Sequence, residues 1–103
     1  MGKRRPILSA HQTAQLAETF GLLGEPNRLR IVLACLDEPV SVGAIADGLG
    51  LSPSLVSHHL RLLRSARLLR GDRRGKQVYY VADDAHVVDV LKDMVHHVSE
   101  GSA

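Results

Sequence analysis

Two short segments in the middle of this chain carry the start signals of neighbouring helices, and they restrict the possible folds more than any other feature. Ser41 is a suitable N-cap for a helix to about residue 49, because its hydroxyl can accept a free N–H group of the first turn. Ser52 and Pro53 provide the cap and first residue of a second helix, to about residue 65. Gly48 and Gly50 allow a sharp turn between them. Two short helices joined by a tight turn form a helix-turn-helix.

The segments before this pair predict an arm and two further helices. Residues 1–9 are basic and contain a proline, so we expect a flexible N-terminal arm, followed by one domain over residues 10–100. Apolar residues recur near the helical period over residues 11–23, which predicts a first helix that ends at a glycine. Pro26 opens a second, largely buried helix, because proline is tolerated in the first turn, and residues 37–39 stop it.

The segments after the pair predict a hairpin and a last helix. Residues 68–70 and 77–81 have strand composition, and residues 72–76 between them supply a turn that contains glycine. Asp83 or Asp84 can cap a final helix that continues to about residue 98. The expected fold class is therefore mainly α with a small β-hairpin, arranged as a winged helix-turn-helix that acts as a dimer.

Length and composition exclude several classes of protein. A chain of 103 residues forms one domain, because a second core would need roughly 50 more residues. No apolar run approaches the roughly 18 residues of a membrane span, and the first residues lack the apolar stretch of a secretory signal. We therefore expect a cytoplasmic protein with no membrane partner. The single cysteine, Cys35, excludes a disulfide within the chain, and its apolar neighbours favour a buried structural thiol.

Charge is segregated along the chain although the net charge is only +2. Basic side chains dominate residues 61–76, and acidic side chains dominate residues 83–100. The first turns of the second helix of a helix-turn-helix enter the DNA major groove, and flanking cations neutralise phosphates. A spaced arginine row is also common on a solvated helix, but with the caps, the turn and the hairpin it favours double-stranded DNA as partner. The predicted DNA-binding residues are Ser52, Ser54, Ser57, His58, Arg61, Arg64, Arg73, Arg74 and Lys76.

Three motifs, over residues 22–31, 51–63 and 71–80, resemble the ArsR/SmtB family of bacterial repressors. The most specific is Leu-Ser-Pro-Ser-Leu-Val-Ser-His-His-Leu-Arg-Leu-Leu at residues 51–63, because a serine-rich start followed by Ser-His-His-Leu is typical of the recognition helix of that family. The resemblance covers about residues 12–100. It implies a small dimeric winged-helix repressor that binds a palindromic operator, leaves it when a metal or another inducer binds, and controls metal efflux or resistance genes.

Four candidate metal ligands lie in the last segment: Asp84, His86, His97 and Glu100. Imidazole and carboxylate groups are ordinary ligands of a borderline divalent cation. On one helix, His86 and His97 would point in nearly the same direction but lie about 16 Å apart along the axis, so one helix cannot close the site. An antiparallel second copy would place the two pairs together, giving symmetric sites in a dimer. Asp84 can join only if it precedes the helix. The same four residues match the C-terminal-helix site of the zinc-sensing branch of the family, and the resemblance implies that they are the sensor ligands.

A dimer also needs an apolar seam. The spacing of four apolar residues predicts a stripe beside the ligand face of the last helix. They are Val87, Leu91, Met94 and Val98. The family has another common site, a cysteine pair in the third helix, but residues 39–45 contain no cysteine. No sensor of thiophilic metals is therefore expected.

Two imidazoles and two carboxylates in a closed tetrahedron favour Zn²⁺, and Co²⁺ fits the same ligands. Ni²⁺ prefers more nitrogen donors, which His96 or the amine of Gly2 would supply after removal of Met1. The alternatives are a nickel or cobalt sensor with these additional ligands, a metal-independent winged-helix repressor, and an architectural DNA binder. We expect no enzyme, because four protein ligands would close the metal site and no general base is evident.

Overall fold

The computed structural model describes residues 7–101, which form five helices and a three-stranded antiparallel sheet. The predicted arm lies largely outside the described residues. The winged helix-turn-helix fold expected from the sequence is confirmed. In chain order the elements are α1 (Ala10–Leu23), α2 (Pro26–Ala34), β1 (Val40–Ser41), α3 (Val42–Leu49), α4 (Pro53–Ser65), β2 (Leu69–Arg74), β3 (Gln77–Ala82) and α5 (Ala85–Gly101).

The predicted caps of the helix-turn-helix are confirmed. The Ser41 hydroxyl accepts the N–H group of Ala44 at 3.2 Å, and the Ser52 hydroxyl accepts that of Leu55 at 3.2 Å. Gly50 ends α3 in the left-handed conformation with φ of 69°, which costs glycine little because it lacks a Cβ atom. These caps and the turn fix where the recognition helix α4 begins.

Arg30 joins α2 to the end of α3. Its guanidinium donates to the Leu49 carbonyl at 3.0 Å and to the Asn27 side chain at 3.2 Å. The Leu49 carbonyl is one of the C-terminal groups that no turn of α3 can satisfy. The hydrogen bond therefore holds the turn of the helix-turn-helix against α2.

The sheet has the strand order β1-β3-β2, so β3 lies in the middle. In the β2–β3 hairpin, Arg74 pairs with Gln77 across a turn formed by Gly75 and Lys76, and Gly75 has φ of 63°. The prediction that residues 72–76 form the turn is wrong, because β2 continues to Arg74. Strand β1 was not predicted, and it pairs with β3 through Val40 and Tyr80.

The core contains side chains from α2, α3, α4, the hairpin and α5, but none from α1, in which no residue is buried. Its members are Ile31, Val32, Cys35, Leu36, Ile45, Ala46, Val56, Leu60, Leu63, Leu68, Leu69, Ala82 and Leu91. Leu91 is only 8% exposed, so within this chain it packs in the core and not on the open side of α5. Among residues 7–101, no helix is long and apolar enough to cross a membrane.

Candidate functional site

The recognition helix α4 has one buried and one exposed face. Its buried residues are Val56, His59, Leu60 and Leu63. The predicted base-reading residues Ser52, Ser54, Ser57 and His58 are all exposed. Short polar side chains at the start of such a helix can approach base edges in the major groove. The structure therefore leaves the beginning of α4 free to enter a groove, while the other side holds it on the core.

Arg61 and Arg64 are exposed further along α4, beside a cleft of about 370 Å³ between the helix and the sheet. The same cleft is lined by Ser57, Ser65 and Tyr80. Within residues 7–101, neither arginine side chain forms an ion pair. Ser65 and Tyr80 were not predicted as site residues, because neither is charged or lies in the first turns of α4, and only the fold brings them to this cleft.

The remaining predicted cations lie at the tip of the hairpin. Arg73 and Arg74 are in the last positions of β2, and Lys76 is in the turn. The Arg73 Nε donates weakly to the Gly75 carbonyl at 3.4 Å, and the Arg74 guanidinium lies 5.0 Å from the centre of the Tyr79 ring. All three cations are exposed, as phosphate contacts require.

His59 is the one buried polar residue among those that the structure describes, with 6% exposure. Its Nδ1 atom has no hydrogen-bond partner in the described residues. Burial lowers the pKa of His59; the Glu25 carboxylate opposes this change, and the charges of Arg28 and His58 add to it. The imidazole is therefore kept neutral at the back of the recognition helix.

Asp84 precedes α5, where the proposed ligand geometry requires it. One carboxylate oxygen of Asp84 accepts the N–H group of Val87 at 2.9 Å, which leaves the other oxygen unused by this cap. Of the two capping candidates in the sequence, the structure thus selects Asp84. His86 follows in the first turn of α5 and is exposed.

His97 and Glu100 lie near the other end of α5 and are also exposed. The Glu100 carboxylate pairs with His96 at 3.2 Å. Within residues 7–101 of one chain, no three His, Cys, Asp or Glu side chains come together as a metal-binding group. Within one subunit, Asp84 and His86 lie at one end of α5, and His97 and Glu100 lie near the other end. The donor chemistry of these side chains fits a divalent cation, but the four predicted ligands could meet only with a second subunit.

The predicted apolar stripe on α5 divides between two environments. Val87 is half-buried against the core and Leu91 is buried in it, whereas Met94 and Val98 are 52% and 63% exposed. Helix α1 also exposes large apolar side chains: Leu16 is 47% and Phe20 is 61% exposed. The sequence pattern did not predict α1 as part of an interface. Large apolar side chains that remain exposed on two terminal helices indicate a surface that a partner covers.

The helix-turn-helix domain family matches residues 23–72. The chain is similar to the transcriptional repressor SmtB homolog of Synechocystis sp., with 38% identity over 94 residues that cover 91% of this chain and 71% of the relative. It is 37% identical over 98 residues to the transcriptional regulator NmtR of Mycobacterium tuberculosis, covering 93% of this chain and 82% of that protein. Both relatives are named as regulators of transcription.

Solved structures show the same architecture. A homodimeric winged helix-turn-helix DNA-binding domain of Mycobacterium bovis, described as a possible ArsR-family regulator, superposes with a TM-score of 0.77 and 26% identity, covering 90% of this chain and 88% of that one. An antimony-specific transcriptional repressor, AntR, gives a TM-score of 0.77 with 25% identity, over 94% and 88% of the two chains. The similarity extends over nearly the whole described fold.

Proposed function

Because this chain belongs to the ArsR/SmtB family of DNA-binding transcriptional regulators, we propose that it is a homodimeric repressor that leaves a palindromic operator when Zn²⁺ or Co²⁺ binds. The observation that supports a metal response is that the four candidate ligands lie along α5 or just before it. Asp84 caps the helix from just outside it, and His86, His97 and Glu100 are exposed along it.

The DNA-binding half of this function rests on α4 and the hairpin. The exposed serines and His58 at the start of α4 would contact base edges, while the unpaired Arg61 and Arg64 and the cations of the hairpin would contact phosphates. In a dimer with two-fold symmetry, two recognition helices would meet half-sites about one helical turn apart. A palindromic operator follows from that symmetry.

The dimer is proposed to form through α1 and α5. Phe20 and Leu16 on α1 and Met94 and Val98 on α5 are among the large apolar side chains that are exposed in the described residues of the single chain. A second copy would cover them and would place its own α5 beside this one. Helix α5 would then serve two purposes, because its core side holds Leu91 and its exposed side meets the partner.

In that dimer Asp84 and His86 of one subunit, with His97 and Glu100 of the other, would hold the ion. When bound, a divalent cation supplies a bridge that joins the two α5 helices in one relative arrangement. Since α5 packs on the core that also carries α4, a change in the angle between the two α5 helices would change the spacing of the recognition helices. Binding of metal and binding of DNA would then oppose each other.

Zinc is the first choice because two imidazoles and two carboxylates suit a closed tetrahedral site, and cobalt can occupy the same ligands. A nickel sensor would need further nitrogen donors. His96 is near enough on α5 to be one, but it pairs with Glu100. The amine of Gly2 lies outside the described residues. We further propose that the regulated genes serve metal efflux or resistance.

The test is a titration of a protein–DNA complex with metal. A duplex selected by the apo protein from random sequences is labelled and followed by fluorescence anisotropy while Zn²⁺, Co²⁺ or Ni²⁺ is added. We expect release at about one Zn²⁺ per subunit, and no release in His97→Ala. The control is Asp89→Ala, which removes an exposed carboxylate of α5 that is not a candidate ligand, and it should respond like the wild type.

Tight binding to the selected duplex that is indifferent to all three metals would leave a metal-independent repressor. Equal affinity for the selected duplex and a scrambled one would instead indicate an architectural DNA binder. Release by Ni²⁺ at concentrations at which Zn²⁺ has no effect would support the nickel alternative.

A further inference from the structure

The cleft between α4 and the sheet offers a group of unused hydrogen-bond donors. Its lining residues are Ser57, Arg61, Arg64, Ser65 and Tyr80. In the part of the chain that the structure describes, none of these five side chains has a hydrogen bond or an ion pair with another residue. Two guanidinium groups with no acidic neighbour at the cleft favour an anionic occupant.

Tyr80 reaches the cleft because of its position in the sheet. It lies in the central strand β3, where it pairs with Val40 of β1 on one side and with Gly71 of β2 on the other. The ring packs against the hydrophobic core and is half-buried. The hydroxyl is the only polar group of this side chain, so it is what Tyr80 can offer to a ligand.

Gly71 makes room for the Tyr80 ring. A Cβ atom at position 71 would lie 3.2 Å from Cε2 of Tyr80 and 3.2 Å from Cγ1 of Val78, closer than side chains normally pack. Gly71 does not have a positive φ, so its backbone does not require glycine. Glycine at position 71 therefore leaves the space that the Tyr80 ring occupies over the sheet.

We propose that this cleft is the binding site of one DNA backbone phosphate, and that the Tyr80 hydroxyl donates a hydrogen bond to this phosphate. The inference rests on the proposed DNA-binding function and adds a defined contact to it. When the start of α4 lies in the major groove, the DNA backbone at the edge of that groove passes between α4 and the β2–β3 hairpin. Arg61 and Arg64 supply the positive charge there. Tyr80 of the central strand β3 and Ser65 at the end of α4 supply neutral donors.

The test uses two substitutions that remove the same atom from neighbouring residues. Tyr80→Phe removes the hydroxyl from the cleft, and Tyr79→Phe removes it from the next residue of β3, whose side chain lies on the opposite face of the strand, against Arg74. We expect Tyr80→Phe to weaken binding about three- to tenfold, equally for selected and scrambled duplexes, since a phosphate contact carries no sequence information. Tyr79→Phe should bind like the wild type.

Salt dependence separates the neutral donor from the charged ones. Arg64→Gln should reduce the slope of log affinity against log salt by about one, because one phosphate fewer is neutralised. Tyr80→Phe should leave the slope unchanged. The contacted phosphate can be located by replacing single phosphates of the selected duplex with neutral methylphosphonates. At one position the loss caused by the methylphosphonate and the loss caused by Tyr80→Phe should not add.

The outcomes distinguish failure of the proposed DNA-binding function from failure of the proposed phosphate contact. If the wild type binds no duplex, the proposed function itself fails. If the wild type binds a duplex and Tyr80→Phe binds it equally well, the DNA-binding function stands and the proposed phosphate-binding site is overturned. The same conclusion follows if both tyrosine variants bind equally weakly. If inorganic phosphate binds the free protein and this binding is lost in Tyr80→Phe, while the losses caused by Tyr80→Phe and by the methylphosphonates add at every position, the cleft holds a free anion and the DNA assignment is overturned.

Discussion

The Nε2 atom of His96 lies 3.2 Å from Oε2 of Glu100, one turn further along α5, so the last proposed metal ligand has a partner within its own chain. Both side chains are exposed, and pairs of this kind contribute little to stability. An ion bound by this oxygen of Glu100 would replace His96 as its partner. His96 would then compete for Glu100 in the proposed zinc site, whereas in the nickel alternative it would itself be a ligand.

Substitution of His96 by alanine distinguishes these two roles. If His96 is only a competitor, His96→Ala keeps the zinc response and binds zinc as tightly as the wild type or somewhat more tightly. Competition with a coloured chelator measures this affinity. A loss as large as that caused by His97→Ala would instead mean that His96 coordinates the ion.

Leu91 and Met94 lie one turn apart on α5, and the same substitution should affect them differently. Leu91→Ala should lower the free energy of unfolding by about 2–5 kcal/mol, because Leu91 is buried in the core. Met94→Ala should leave the folded protomer intact and weaken the dimer, because Met94 is 52% exposed in the single chain. Urea unfolding and sedimentation equilibrium measure the two effects. Equal losses of stability, with no change in dimer affinity, would contradict this division of α5.

The sequence predicted the elements whose signals are local. The serine caps of α3 and α4, Pro53 in the first turn and Asp84 before α5 act within a few residues, and each lies where it was expected. Strand β1 was missed because two residues cannot show a period. The charged end of β2 was missed because Asp72 disfavours strands and the two arginines do not favour them, so that only pairing with β3 holds these residues in the strand.

The candidate sites were predictable only as far as residue types and helix spacing allow. Spacing placed Val87, Leu91, Met94 and Val98 on one stripe, but it could not say which part faces the core of the chain itself. Tyr80 and Ser65 line the cleft between α4 and the sheet because of sheet register and helix packing, which no local sequence pattern indicates. The metal site stays a prediction, since its ligands would meet only across a dimer.

His59 gives the folded protein a defined dependence on pH. Burial lowers the pKa of His59 in the folded state below its ordinary value of 6.5. As pH falls below about 6.5, the unfolded chain therefore binds a proton that the folded chain does not, and the free energy of unfolding decreases. The loss should continue until the pH reaches the lowered pKa of the folded state.

His59→Leu should remove this contribution, which is at most about 1.4 kcal/mol per pH unit for one proton. Urea unfolding at pH 5 to 7.5 with a chelator present measures it, and His11→Gln, at an exposed histidine of α1, serves as the control. Identical pH profiles for the wild type and His59→Leu would show that His59 is not the group responsible.

Cys35 should be unreactive in the folded protein. Its side chain is fully buried, and burial raises the pKa of the thiol to about 11, so very little thiolate forms at pH 8. A coloured disulfide reagent should react with it only as fast as the protein opens, and at once in 6 M guanidinium, where about one thiol per chain should appear. Rapid reaction under native conditions would contradict the burial of Cys35 in the core.

The opposition between metal and DNA is tested most directly by measuring zinc affinity twice, once for the free dimer and once for the dimer bound to its selected duplex. Because coupling between two sites is reciprocal, DNA must weaken zinc binding by the same factor by which zinc weakens DNA binding, about 5- to 150-fold for ordinary coupling energies. We expect equal factors in the two directions, both reduced to one in His97→Ala. Zinc affinity that is the same with and without DNA would contradict this expectation.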